Sequence, residues 1–198
     1  MSDKKNSSTA LRAYIQVVDE FKNESDRAAV ILGAAKLDSL LAQVLDRRLL
    51  PSLSSSDELL DGDSPLATFS ARINSAYRLG LITPDFAKSL HLVRRIRNSF
   101  AHEVSGVSLE SGSHADRVNS LLLPLRRLPF FNDFRDSMIG EHSASNDFRA
   151  CLAMMIARLE ACLNSTDQLD GSEAWSFVLK SWSDDKWNKK DAPDAGAT

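Results

Sequence analysis

Apolar residues recur along this chain at helical spacing, and polar residues with turn chemistry punctuate them. Between residues 9 and 22, Leu11, Tyr14, Ile15, Val18 and Phe21 fall on one stripe after Ser7 and Ser8, which predicts a first helix. Ser25 is placed to cap a longer second helix, with Asp26 in its positive first turn. Ala28, Ile31, Leu32, Ala35, Leu41, Val44 and Leu45 are its expected stripe, and Pro51 stops it. Residues 51–63 are rich in Ser, Asp and Gly and read as a loop.

Ser64-Pro65 then pairs a cap with a proline at the first helical position, where its missing N–H costs nothing. The stripe that follows is Leu66, Phe69, Ile73, Ala76 and Tyr77, and Gly80 suits the left-handed residue after a helix. Thr83-Pro84 repeats the device. It starts a helix whose stripe is Phe86, Leu90, Val93, Ile96 and Phe100. After a Gly- and Ser-rich loop from Glu103 to His114, a helix is predicted over 115–123. Pro124, Pro129 and Phe130, Phe131 and Phe134 make the next stretch irregular. Ser145 or Asn146 is the expected cap of a last helix, with Phe148, Leu152, Met155, Leu159 and Leu163 inward.

No alternating strand pattern competes, so the fold class is all-α: one bundle domain of about five to seven helices over 9–164. Residues 165–198 change in composition and hold all three tryptophans, Trp175, Trp182 and Trp187. They read as a tail, partly flexible, with one short amphipathic helix over 172–182.

Hydrophobic content of 43% and charged content of 26% suit a soluble globular domain. A net charge of −3 gives no overall attraction to phosphate polymers, so nucleic-acid contact would need a local basic patch. The N-terminus has no apolar signal-peptide stretch and no window reads as a membrane span. Cys151 and Cys162 lie on one predicted helix, about 16 Å apart along its axis, and cannot bond within it. With no metal-ligand spacing, neither metal nor cofactor is expected, and reduced thiols fit the cytoplasm.

The chemistry concentrates in Arg94 to His102, RRIRNSFAH. Arg94, Asn98 and His102 are successive i, i+4 positions, whereas Arg97 lies about 140° around a regular helix from His102. Two readings follow. In one, a frayed last turn brings His102 to Arg97, Asn98 positions one of them, and the group acts on RNA: His102 moves protons and Arg97 stabilises phosphate charge. In the other, Arg97 and Asn98 tie the helix to acidic partners such as Asp26 or Asp38. A helix-turn-helix reading of Ala76, Gly80 and Phe86 would present Lys88, His91, Arg94 and Arg95 to DNA. Any capped helical hairpin matches that pattern.

Three segments carry a family resemblance: FKNESDRAAVILGAAKLDSLL from Phe21, SPLATFSARINSAYRLGLI from Ser64, and LVRRIRNSFAH from Leu92. Together they resemble the mannitol operon repressor family of bacteria. The resemblance implies an all-helical repressor without a recognised DNA-binding domain, acting through a protein partner, and the expected assembly is a homodimer. It also implies a polar signature of Asp26, Arg27, Asp38, Arg72, Arg97, Asn98 and His102, joining three helices. The third segment is also similar to the ribonuclease signature of the HEPN superfamily, which implies Arg97, Asn98 and His102 as a metal-independent catalytic set.

Overall fold

The structure, a computed structural model, describes residue 15 and residues 18–103, 106–128, 131–132, 135–136 and 140–171. Among these residues there are five helices of ten residues or more and no strand. We number them α1 (Asp26–Arg48), α2 (Phe69–Arg78), α3 (Pro84–His102), α4 (Gly112–Leu125) and α5 (Ala144–Ser165). Of the first predicted helix, residues 18–21 are helical with Val18 and Phe21 buried; most of it, like the three tryptophans, lies outside the described residues.

Helix α1 is the centre, packed against α2, α3 and α5. Ser25 caps it as its spacing predicts, with Oγ accepting from the Ala28 N–H at 3.2 Å. The buried face differs from the expected stripe in the first half of the helix. Ala29, Val30, Gly33, Ala34 and Leu37 point inward, while Leu32 is 53% exposed. The helix is apolar on most sides, so periodicity alone does not fix its phase. By length and composition it could cross a membrane, contrary to the sequence reading of no such window, yet half of that stretch is buried in the bundle. It is a core helix.

What fixes its phase is α5. The two run parallel: Ser145 Oγ donates to Asp26 Oδ2 at 2.7 Å at their starts, and Arg47 Nη1 donates to the Leu163 carbonyl at 2.7 Å at their ends. Between them Gly33 faces Leu152, and a methyl group on Gly33 would lie 2.2 Å from Leu152 Cδ2. The backbones approach because that residue has no side chain. After α5, the segment to residue 171 turns across the end of α1, where the Leu169 N–H donates to the Arg48 carbonyl at 2.8 Å.

Helix α2 begins at Phe69 with Thr68 as cap, later than Ser64-Pro65 predicts. Residues 64–67 instead form a turn, with the Leu66 N–H on the Leu59 carbonyl at 2.9 Å. Its end matches expectation. Gly80 takes φ +72°, its N–H bonds to Tyr77 and that of Leu81 to Ala76, so the last carbonyls are satisfied. Thr83 and Pro84 start α3, and Leu90, Val93, Ile96 and Phe100 are fully buried along it.

Helix α4 begins three residues before its predicted start, and α5 begins after Ser143, not Ser145. Glu110 explains the second shift. Its carboxylate accepts the Ala144 and Ser145 N–H groups at 3.1 and 2.9 Å, the first orphan donors of α5. Hydrogen bonding with Ser145, and then with the Ala144 N–H, holds its pKa below the usual carboxylate range. A depressed folded pKa means stability that is present above the unfolded value and lost as pH falls through the folded one. Glu110→Gln is therefore expected to cost about 1 kcal/mol at neutral pH in urea unfolding. The gap to wild type should close below about pH 4.

Candidate functional site: an arginine-lined cleft

The buried stripe of α3 decides where its polar residues go. With Val93 and Ile96 inward, Arg94, Arg97 and Asn98 flank the core on one side and line a cleft of ≈ 650 Å³. Helix α1 forms the opposite wall with Ala34, Ala35, Asp38, Ser39 and Ala42, whose small side chains leave the space open. The third wall is the start of α2, from Ala67 to Ser70, with Arg72.

Within the cleft, Arg72 Nη1 donates to Asp38 Oδ1 at 2.9 Å, a half-buried pair with side chains 16% and 29% exposed. Arg97 Nη1 donates to the neutral Asn98 Oδ1 at 3.2 Å. Arg94 makes no hydrogen bond or ion pair among the described residues, and its Nε is buried without a partner, as is that of Arg72.

The seven residues of the polar signature thus separate into three places. Asp38, Arg72, Arg97 and Asn98 meet in the cleft, joined by Arg94. Asp26 faces α5 instead, bonded to Ser145 and, at 3.0 Å, to Arg149 Nη1. Arg27 reaches the end of α3, where its guanidinium donates to the carbonyls of Phe100 and Glu103, the latter at 2.6 Å. His102 is exposed and without a hydrogen-bond partner among the described residues.

Arg27 also explains the geometry of the last turn of α3. It caps the terminal carbonyls, the helix continues through His102, and the Glu103 N–H closes on the Ser99 carbonyl at 3.0 Å. The turn is not frayed. Arg97 and His102 consequently stay about 140° apart around the axis, and no described hydrogen bond joins them. Arg97 does not pair with Asp26 or Asp38 either; those carboxylates belong to Arg149 and Arg72.

The residues of the helix-turn-helix reading do not act as one face. Arg94 turns into the cleft, while Arg95 is exposed and Lys88 pairs with Asp85 at 3.3 Å. His91 Nε2 lies 3.1 Å from Asn74 Oδ1. Burial, then the charges of Arg94 and Arg95, lower its pKa and keep the ring neutral. No cluster of three or more potential metal ligands occurs among the described residues. Burial, then Asp147, pushes the Cys151 thiol far up, which removes it as a nucleophile.

Two buried cations escape the sequence-based candidates. Arg149, 7% exposed, donates to the Phe21 carbonyl, Asp26 and the Glu24 carbonyl. Arg135, 2% exposed, is ion-paired with Asp147 and Asp136. The signal for Arg149 is present: it follows Phe148 and precedes Leu152 by three, so a charge interrupts the apolar stripe. Arg135 follows Pro129 and Phe130, Phe131 and Phe134, where the sequence offers no apolar period for a charge to interrupt.

No protein-family model matches the chain, and neither does any curated protein sequence. Among solved structures, a chain of the MtlR–HPr complex from Escherichia coli has the same fold, with a TM-score of 0.53 and 17% sequence identity. The match covers 75% of this chain and 98% of that one. The described bundle is therefore MtlR-like, which is the all-helical fold that the three sequence segments imply.

Proposed function

We propose that this chain is a regulator of transcription of the mannitol operon repressor type, acting in the cytoplasm as a homodimer that grips a protein partner. The observation that carries the proposal is the shared fold: a similar helical chain has been solved with HPr bound. Two features of the chain support a protein partner over direct DNA reading. The net charge is −3, and Lys88, His91, Arg94 and Arg95 do not present one surface to a groove. Sequence-independent DNA affinity rests on clustered Lys and Arg neutralising phosphates.

The test is calorimetry and size exclusion with light scattering on the purified chain and HPr from the same cell. A complex with a Kd of about 10 μM or tighter is the expected result. The mass of the free protein in the same runs reads the homodimer. Absence of a complex at about 100 μM of each protein, with the chain folded, overturns the partner. Sequence-specific promoter binding at physiological salt would replace it with direct readout. RNA cleavage in EDTA that is lost in a folded His102→Ala variant would replace it with a nuclease.

A further inference from the structure

The cleft between α1, α2 and α3 holds more positive charge than the described residues neutralise. Its charged lining is Asp38, Arg72, Arg94 and Arg97. Among the described residues Arg72 uses Asp38, Arg97 has only the neutral amide of Asn98, and Arg94 has no partner. Two positive charges are left over in one concave site. A buried donor without an acceptor costs the full loss of its hydration, about 1–3 kcal/mol. The Nε groups of Arg94 and Arg72 have no acceptor among the described residues.

We propose that this cleft binds the phosphate group of a small phosphate monoester. The unmatched charge equals that of a phosphate dianion, and the planar guanidinium fork matches phosphate oxygens two at a time. The start of α2 adds to this. Ser70 lines the cleft at the positive end of a helix with no acidic residue in its first turn. The space of ≈ 650 Å³ exceeds what one phosphate fills, which leaves room for a compact polar group esterified to it. The alanines of α1 form an uncharged wall on that side. Nothing in this inference depends on the protein partner.

Calorimetric titration of the full chain with inorganic phosphate and with glycerol 3-phosphate tests it, with malonate as a dicarboxylate of like charge. Both phosphates are expected to bind, the ester more tightly, and malonate at least about tenfold more weakly. Arg94→Gln and Arg97→Gln should each weaken glycerol 3-phosphate about tenfold or more, and Arg95→Gln, outside the cleft, should not. Because Arg94 has no hydrogen-bond or ion-pair partner among the described residues, Arg94→Gln should unfold at the wild-type temperature or above it. A lower temperature marks Arg94 as a structural residue and overturns its role. Arg97 is exposed, so Arg97→Gln decides the proposal even if the Arg94 variant does not fold. No heat with either phosphate at about 10 mM, or malonate binding as tightly as the ester, overturns the phosphate site.

Discussion

Arg149→Ala is expected to lower the unfolding free energy by about 3 kcal/mol, because the substitution breaks a buried ion pair and strands its partners. The guanidinium, 7% exposed, serves three groups at once: the Phe21 carbonyl at 3.1 Å, Asp26 Oδ1 at 3.0 Å and the Glu24 carbonyl at 2.6 Å. Alanine leaves both carbonyls without that donor and leaves the Asp26 carboxylate with the Ser145 hydroxyl. Asp26 is 25% exposed, so water recovers part of the loss, and the estimate sits at the lower end of what such pairs cost. Denaturant unfolding at neutral pH with an unchanged slope is the measurement. Arg149→Lys should recover only part of the stability, since a single ammonium cannot reach three acceptors in a fork. An Arg149→Ala midpoint equal to wild type would show that this joint does not hold α5 to the start of α1.

Gly33→Val should cost about 2 kcal/mol through overpacking, although valine is the better helix former. The new Cβ would lie 2.2 and 2.8 Å from the two methyls of Leu152, which is wholly buried and has little room to turn aside. Relief can come from the other side. Leu152→Ala alone should cost about 3 kcal/mol as a cavity. Combined with Gly33→Val, it should fall short of additivity by about 1 kcal/mol or more, since valine occupies the vacated space. Strictly additive losses would mean that the two helices do not touch at this point.

The legibility of this chain varies with how much of each element is decided locally. Helix α3 is plain in the sequence, because a Thr-Pro start and a narrow apolar stripe agree, and the structure buries that stripe from Leu90 to Phe100. Helix α2 shows the opposite case. Ser64-Pro65 reads as its start, but the bond from the Leu66 N–H back to the Leu59 carbonyl belongs to a turn, and Thr68 caps the helix instead. The phase of α1 is illegible because apolar residues lie nearly all round it; its facing helix begins more than ninety residues after α1 ends. For the cleft, the phase of α3 already places Arg94, Arg97 and Asn98 together. The pairing of Arg72 with Asp38, 34 positions apart, is a tertiary fact with no local trace. The same holds for Arg27 at the end of α3, which decides whether the turn carrying His102 closes.

The parallel pairing of α1 and α5 has a consequence for how the chain is made. Parallel neighbours cannot be joined by a short turn, and here everything from residue 49 to residue 143 intervenes. A ribosome adding about 5–20 residues per second emits α1 on the order of ten seconds before its partner helix is complete. During that interval an apolar segment, long enough to cross a bilayer, is without the helix that covers it. Contacts so distant in sequence also slow folding, since a large loop must close before they contribute. The covering of α1 in the newborn chain thus waits on the emergence of α5.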